Sequence, residues 1–222
     1  MIVFVDFDGT ITNIDTFDAL VREAVGDDVW DAVDAQLAAG HMTLRDGLAR
    51  QASYIRKSKN EALAFLEATA VVDPAFAPFV STARAQGAEV RVVSSGVRSI
   101  IEVALARAGV SVPVFANDVD FAPDGWTIDF VDDSANGHDK AAHVRAARDA
   151  GEHTIYIGDG ISDFSASHEA DRCFAKINSS LERYCRSHDI ACISFESFAE
   201  VQAALFVSGL PGGTPTTRDA AP

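Results

Sequence analysis

The chain has 222 residues, 48% hydrophobic and 23% charged, with a formal net charge of −15. That is enough apolar material to bury a sizeable core, as one large domain or a domain with a small insert. The acidity excludes a nucleic-acid partner, which needs a basic patch, and means that an anionic substrate must be drawn in by a local cationic site.

Ile2-Val-Phe-Val5 predicts a short buried strand that ends on Asp6 and Asp8. Strand side chains alternate faces, so these carboxylates share one side just past the strand, at the edge where open α/β sheets hold ligands. Alone, the segment has a plainer, less favoured reading as a solvated turn. As a site, two carboxylates so close require a cation or a shared proton. Four helical patterns follow, over 15–26, 27–39, 43–55 and 59–70, with no strand signal among them. They predict a small helical bundle inserted after the first strand.

Residues 74–86 predict a helix feeding a strand over 89–93, which ends in Ser94-Ser95-Gly96. A helix over 97–108, a strand over 112–116 and a hairpin over 118–131 come next, the last turning at Pro123-Asp124-Gly125. Asn136-Gly-His138-Asp139-Lys140 opens a helix over 139–150, and a strand over 154–157 ends in Gly158-Asp159-Gly160-Ile-Ser-Asp163. A short helix, a strand over 172–175 and terminal helices to about Phe206 complete the pattern; 207–222, rich in Gly, Pro, Thr and Ser, predicts a disordered tail. Strands alternating with helices predict an α/β, doubly wound (Rossmann-like), mostly parallel sheet. Its core takes in 1–12 and 74–206, with 13–73 as the helical insert.

No run approaches the roughly 18 apolar residues of a membrane helix, so no membrane partner is expected. No basic leader with a cleavage site precedes the first strand. Cys173, Cys185 and Cys192 show no metal-ligand spacing. They read as reduced, packed thiols in a cytoplasmic protein. Nothing in the pattern specifies an oligomeric state.

The four strand-end segments, Asp6-Phe-Asp8-Gly9-Thr10, Ser94-Ser95-Gly96, Asn136 to Lys140 and Gly158 to Asp163, resemble the four motifs of haloacid dehalogenase (HAD) superfamily phosphatases, in that family's order. The resemblance covers about 2–206. The helical insert is similar to the cap of phosphoserine phosphatase and its relatives. Segments at Asp15, 40–51, 115–117, 158–163 and 174–176 look closer to the phosphatases of 2-hydroxy-3-keto-5-methylthiopentenyl-1-phosphate.

The resemblance implies a phosphoric monoester hydrolase acting on a small phosphorylated metabolite, with Asp6 as nucleophile forming an aspartyl-phosphate and Asp8 as general acid and base. Four carboxylates at one sheet edge suit a hard cation, Mg²⁺, with Asp6, Asp8, Asp159 and Asp163 as its candidate site. Ser94, Ser95, Gly96 and Lys140 would bind the substrate phosphate. Each has a plainer reading: turns and helix caps for Asp159, Asp163 and the serines, a cap for His138 and Asp139. Lys140 in a first helical turn sits against the helix dipole, which favours a functional role. For substrate specificity the candidates are Asp15, equally an N-cap; Gln51, where phosphoserine phosphatases carry a carboxylate-binding Arg; and Arg45, equally a solvated helix residue. A phosphoserine-type hydrolase is the rival reading. A non-catalytic phosphate- or sugar-phosphate-binding module is a third, and it leaves Asp8 without a purpose.

Overall fold

A computed structural model describes residues 1–207; beyond Val207, the predicted tail lies outside the described residues. Seven strands form one sheet: β1 (Ile2–Val5), β2 (Glu89–Val97), β3 (Val114–Asp120), β4 (Thr127–Asp129), β5 (Thr154–Gly158), β6 (Arg172–Lys176) and β7 (Cys192–Phe195). Their order is β4-β3-β2-β1-β5-β6-β7, parallel except for β4 against β3. β1 lies where the order reverses. Val5 pairs with Val92 on one side and Ile157 on the other, so the carboxyl ends of β1, β2 and β5 meet.

β1 is apolar throughout because both its faces are covered. Val3 and Val5 join a layer with Phe76 and Phe79 of α5 (Phe76–Ala85), Ile101 of α6 (Arg98–Arg107) and Phe198 of α10 (Phe198–Gln202). There the Phe76 and Phe198 rings meet edge to face at 4.7 Å. Ile2 and Phe4 face the opposite layer, with Ala141 and Val144 of α7 (Lys140–Asp149) and Ala166 of α8 (Phe164–Glu169).

The terminal segment differs from the all-helical expectation. It holds α9 (Ser180–Ser187), then strand β7, then α10 and a π-helical turn over Ala203–Val207. β7 is four residues long and only Phe195 is fully buried, so it lacks a readable alternation; pairing with β6 supplies what local sequence does not. β2 also runs on through Ser94-Ser95-Gly96 to Val97, with its register against β3 shifting between Ser94 and Val97.

Between β1 and β2 stand α1 (Thr16–Val25), α2 (Asp27–Ala38), α3 (Leu44–Ala52) and α4 (Lys59–Thr69). Thr43 caps α3 by accepting from Asp46 N at 3.1 Å, and Ser58 with Glu61 forms a capping box on α4. The two chain crossings into and out of this layer are tied by a bridge between Thr12 and Val72. The apolar stripes of α1 and α4 (Phe17, Leu20, Val21, Ala62, Leu66) join Ala52 and Ile55, then continue into Val97, Ile100, Val119 and Trp126 below. No helix of the described residues is long and apolar enough to cross a membrane.

Trp126, on the β3–β4 hairpin, seals this junction. It is 1% exposed, and its Nε1–H donates to the Lys57 carbonyl at 2.7 Å. Trp126→Ala should cost about 3–5 kcal/mol through the cavity it leaves, whereas Trp126→Phe, which loses chiefly the hydrogen bond, should cost about 1 kcal/mol. Urea unfolding checks both values; equal losses would show that the ring does not seal the junction.

Candidate active site

Asp6 follows β1 directly and is 4% exposed. Its Oδ1 accepts from Lys140 Nζ at 2.6 Å. Lys140 is the first residue of α7, itself capped by Asp139, and its ammonium also donates to Asp163 Oδ1 at 2.7 Å. Burial works against the charge on Lys140, but the facing carboxylates of Asp163 and Asp6 outweigh it and hold the amine protonated.

Asp163 is fully buried and saturated. Its Oδ1 also accepts from the Tyr156 hydroxyl at 2.6 Å, and its Oδ2 accepts the backbone N–H groups of Asp159 and Gly160, each at 2.9 Å. Four donors on two oxygens make it the anchor of the 158–163 loop and of Lys140. Asp159 points the other way: its Oδ1 accepts from Thr10 Oγ1 at 2.8 Å. Burial, with Asp163 adding, pushes the Asp159 carboxyl up to about 7, and burial drives Asp6 up despite Lys140. One ammonium thus leaves the cluster over-supplied with negative charge. The donors are all hard oxygens, and ligand atoms of Asp6, Asp159 and Asp163 lie within 4.8 Å of one another. This donor set fits a hard divalent cation.

Asp8 is placed by the helical layer. Its Oδ1 accepts from Thr16 N at 2.9 Å and from the Thr16 hydroxyl, at the first residue of α1. Its Oδ2 lies 3.4 Å from Ser94 Oγ. Burial raises its pKa against those Thr16 bonds. Ser94 Oγ accepts from Gly96 N at 2.9 Å, so that N–H faces the serine rather than the cavity. A Cβ on Gly96 would collide with Asp8 Oδ2, which is why glycine stands there. Ser95 Oγ is buried with no partner among the described residues and sits at the cavity wall.

These groups line a cavity of about 180 Å³ roofed by the helical layer. Asp15 lines it while capping α1 through Asp18 N at 2.9 Å. Gln51 lines it too, 4% exposed, with no side-chain hydrogen bond among the described residues. Arg45 does not line it. Its guanidinium reaches the Asp132 carbonyl and Asp133, and stacks 4.0 Å above the Phe130 ring.

The roof adds residues that sequence reasoning missed: Asp18, Trp30 and Asp34, with Leu44 and Leu48 as apolar wall. Carboxylates on helices read as solvated faces until packing shows what they overlook. Tyr156 was also missed; a tyrosine inside an otherwise apolar strand was the available signal, because a buried hydroxyl needs a partner. A larger, mostly apolar cavity of about 440 Å³ lies between α4 and α6, and none of the four carboxylates lines it.

His138 is a brace rather than part of the cavity wall. The Ser94 carbonyl can only accept, so His138 Nδ1–H donates to it at 2.8 Å, leaving Nε2 to accept from His143 Nε2–H at 2.9 Å. Burial lowers the His138 pKa to about 4, so the ring is neutral.

A family model described as haloacid dehalogenase-like hydrolase matches residues 3–168. Pdp3-interacting factor 1 of Schizosaccharomyces pombe is 35% identical over 91% of this chain and 93% of its own length. A polyol phosphate phosphatase of Saccharomyces cerevisiae is 30% identical over 92% of each chain. The 2-hydroxy-3-keto-5-methylthiopentenyl-1-phosphate phosphatase of Brevibacillus brevis is 29% identical over 79% of this chain and 82% of its own. Among solved structures, a HAD family hydrolase from Salmonella enterica superposes with a TM-score of 0.75 at 20% identity, covering 94% of this chain and 72% of that one. A substrate-bound phosphoserine phosphatase superposes at 0.70 and 19%, covering 91% and 97%. At such identities the structural likeness speaks for the fold.

The His138 brace has a pH signature. Its ring titrates near 6.5 when unfolded and at about 4 when folded. Above 6.5 both states are neutral and its contribution is complete. As pH falls toward 4 the unfolded chain takes up the proton first, and stability is lost by up to about 3 kcal/mol. Urea unfolding across that window should show a steeper loss for the wild type than for His138→Asn, which keeps a donor for the Ser94 carbonyl. Parallel pH profiles would refute the neutral-histidine reading.

Proposed function

The chain belongs to the haloacid dehalogenase-like hydrolase family and is a phosphatase, and on that premise we infer that it hydrolyses a small phosphorylated metabolite through an aspartyl-phosphate on Asp6, with Mg²⁺ as cofactor. The observation that carries this reading is the pairing of Asp6, held by Lys140, with Asp8, a second carboxylic acid held by Thr16 and facing Ser94. A binding module has no use for that second acid.

Lys140, Ser94 and the unpartnered hydroxyl of Ser95 take the phosphoryl oxygens. The Asp6 carboxylate attacks phosphorus as the ester bond breaks, and Asp8 gives its proton to the departing oxygen. Asp8, now a carboxylate, takes a proton from the water that attacks the aspartyl-phosphate, releasing phosphate and restoring Asp6. The raised pKa of Asp8 favours the protonated form needed first. Asp6 and Asp159, with the Asp8 carbonyl, would hold Mg²⁺, which offsets the negative charge shared by phosphate and carboxylate. Asp163, its oxygens filled by four donors, serves as a positioning residue.

The roof names a substrate class. Asp15, Asp18 and Asp34 present carboxylates and Gln51 an amide, and among the described residues no Lys or Arg of the helical layer lines the cavity with them. The carboxylate of a leaving group such as the serine of phosphoserine finds no cationic partner in that roof, although its ammonium finds the aspartates. One rich in hydroxyls is matched, because a hydroxyl can donate to an ionised carboxylate and accept from a protonated one, the form that burial favours for Asp15 and Asp18. That favours a phosphorylated polyol over the phosphorylated ketone suggested by the sequence resemblance, since a ketone oxygen can only accept.

Asp6→Asn should abolish turnover of p-nitrophenyl phosphate while the protein stays folded and binds phosphate. Chelation should silence the wild type, with Mg²⁺ restoring it better than the larger Ca²⁺. Wild-type turnover by the variant, or in chelator, would sink the mechanism.

In a side-by-side kcat/KM comparison, glycerol phosphate should exceed O-phosphoserine. Gln51→Arg should move the preference toward phosphoserine by about 1.5–3 kcal/mol, the worth of a hydrogen bond to a charged group. A wild type most efficient on phosphoserine would overturn the substrate class and leave the phosphatase mechanism standing.

A further inference from the structure

The cysteines look unrelated along the chain, with 11 and 6 residues between successive members. Folding brings them together. Cys173 lies on β6 and Cys192 opposite it on β7, in direct register. Cys185 descends from α9, which crosses over both strands. All three sulfurs fall within 4.8 Å of one another, and all are free thiols. We propose that Cys173, Cys185 and Cys192 form a binding site for one thiophilic divalent metal ion of the zinc class, held by three thiolates at the sheet edge.

Ligand chemistry supports the assignment. Thiolates select soft or borderline ions such as Zn²⁺ over the hard cation suited to the acidic cavity. Sulfurs at ~2.3 Å from a common ion stand roughly 4 Å apart. The trio spans that separation, and the pair now at 2.9 Å, Cys173 with Cys192, needs only a side-chain rotation to open.

Three protein ligands leave a fourth position for water. Cys173 and Cys185 are buried, but Cys192 is half-buried and keeps one side of the trio within reach of solvent. Ala175, Leu181, Phe164 and Ile190 enclose the rest. Binding proceeds as M²⁺ + 3 RSH → [M(SR)₃]⁻ + 3 H⁺, so the ion replaces the thiol protons and no redox step is involved. A divalent ion leaves a single net negative charge in these apolar walls, one fewer than a monovalent ion would. None of the three lines the acidic cavity, so this site stands apart from the phosphatase reading.

The test titrates the reduced full-length chain with Cd²⁺ in excess Mg²⁺, which occupies the oxygen donors of the cavity. A thiolate-to-metal charge-transfer band should saturate at one ion per chain and be reversed by Zn²⁺. Cys185→Ser and Cys192→Ser, each checked by circular dichroism, should weaken binding at least tenfold. Cys192, half-buried, keeps the test decisive if the buried position folds poorly. No band in the wild type, or a band that survives in a folded variant, would show three packing thiols and overturn the proposal.

Discussion

The structure depends on a charge imbalance at the point where the sheet reverses its order. Asp6, Asp8, Asp159 and Asp163 converge there, and among the described residues Lys140 is the only ammonium lining the same cavity. A buried ion pair is weak evidence for stability, but removing one partner strands a charge at a cost of several kcal/mol. Lys140 therefore cannot be spared, and neither can Asp163, which anchors it. The backbone follows from the same requirement. Gly96 is small because Asp8 occupies its Cβ position, and Gly158 because Asp163 does. The cluster also bears on how so acidic a protein could receive an anion: the net charge repels phosphate at long range, while Lys140 and, in the proposed mechanism, a hard cation would offset the carboxylates at the floor of one cavity.

In the proposed function the helical layer would read the other end of the substrate with a different vocabulary. The floor offers donors and positive charge, which every phosphoryl group shares. The roof offers carboxyl, amide and indole N–H groups beside apolar surface, which only some leaving groups satisfy. Gln51 marks the boundary: buried, uncharged and without a protein partner, its amide can donate and accept in equal measure. Discrimination of this kind arises from leaving the wrong substrate's polar groups unpaired more than from adding attraction for the right one.

What was legible in the sequence is what backbone geometry and chemistry both constrain. Asp6, Asp8, Ser94, Lys140 and Asp159 sit at strand or helix ends, where a turn residue and a charged group coincide, and the structure gathers them at one edge. The sheet was legible for a similar reason, through its apolar runs and glycine stops. Contact-dependent features were not. Strand β7 is too short to alternate. Asp18 and Asp34 look like solvent-facing helix residues, and Arg45 looks like an anion ligand until Phe130 and Asp133 claim it. The three cysteines lack any motif spacing, because two of them meet only through the pairing of β6 with β7.

Thr16 joins the two halves of the mechanism. It is the first residue of the helical layer, and its N–H and hydroxyl both bind Asp8 Oδ1. Those bonds favour the ionised form of Asp8, while burial favours the protonated form. In the proposed reaction Asp8 must be an acid in the first step and a base in the second. A small displacement of α1 away from the sheet would weaken the Thr16 bonds and favour the acid; its return would favour the base. In that reading the layer proposed to select the leaving group also bears on the group proposed to protonate it, and the two roles share one helix terminus because Asp8 and Thr16 are only eight residues apart.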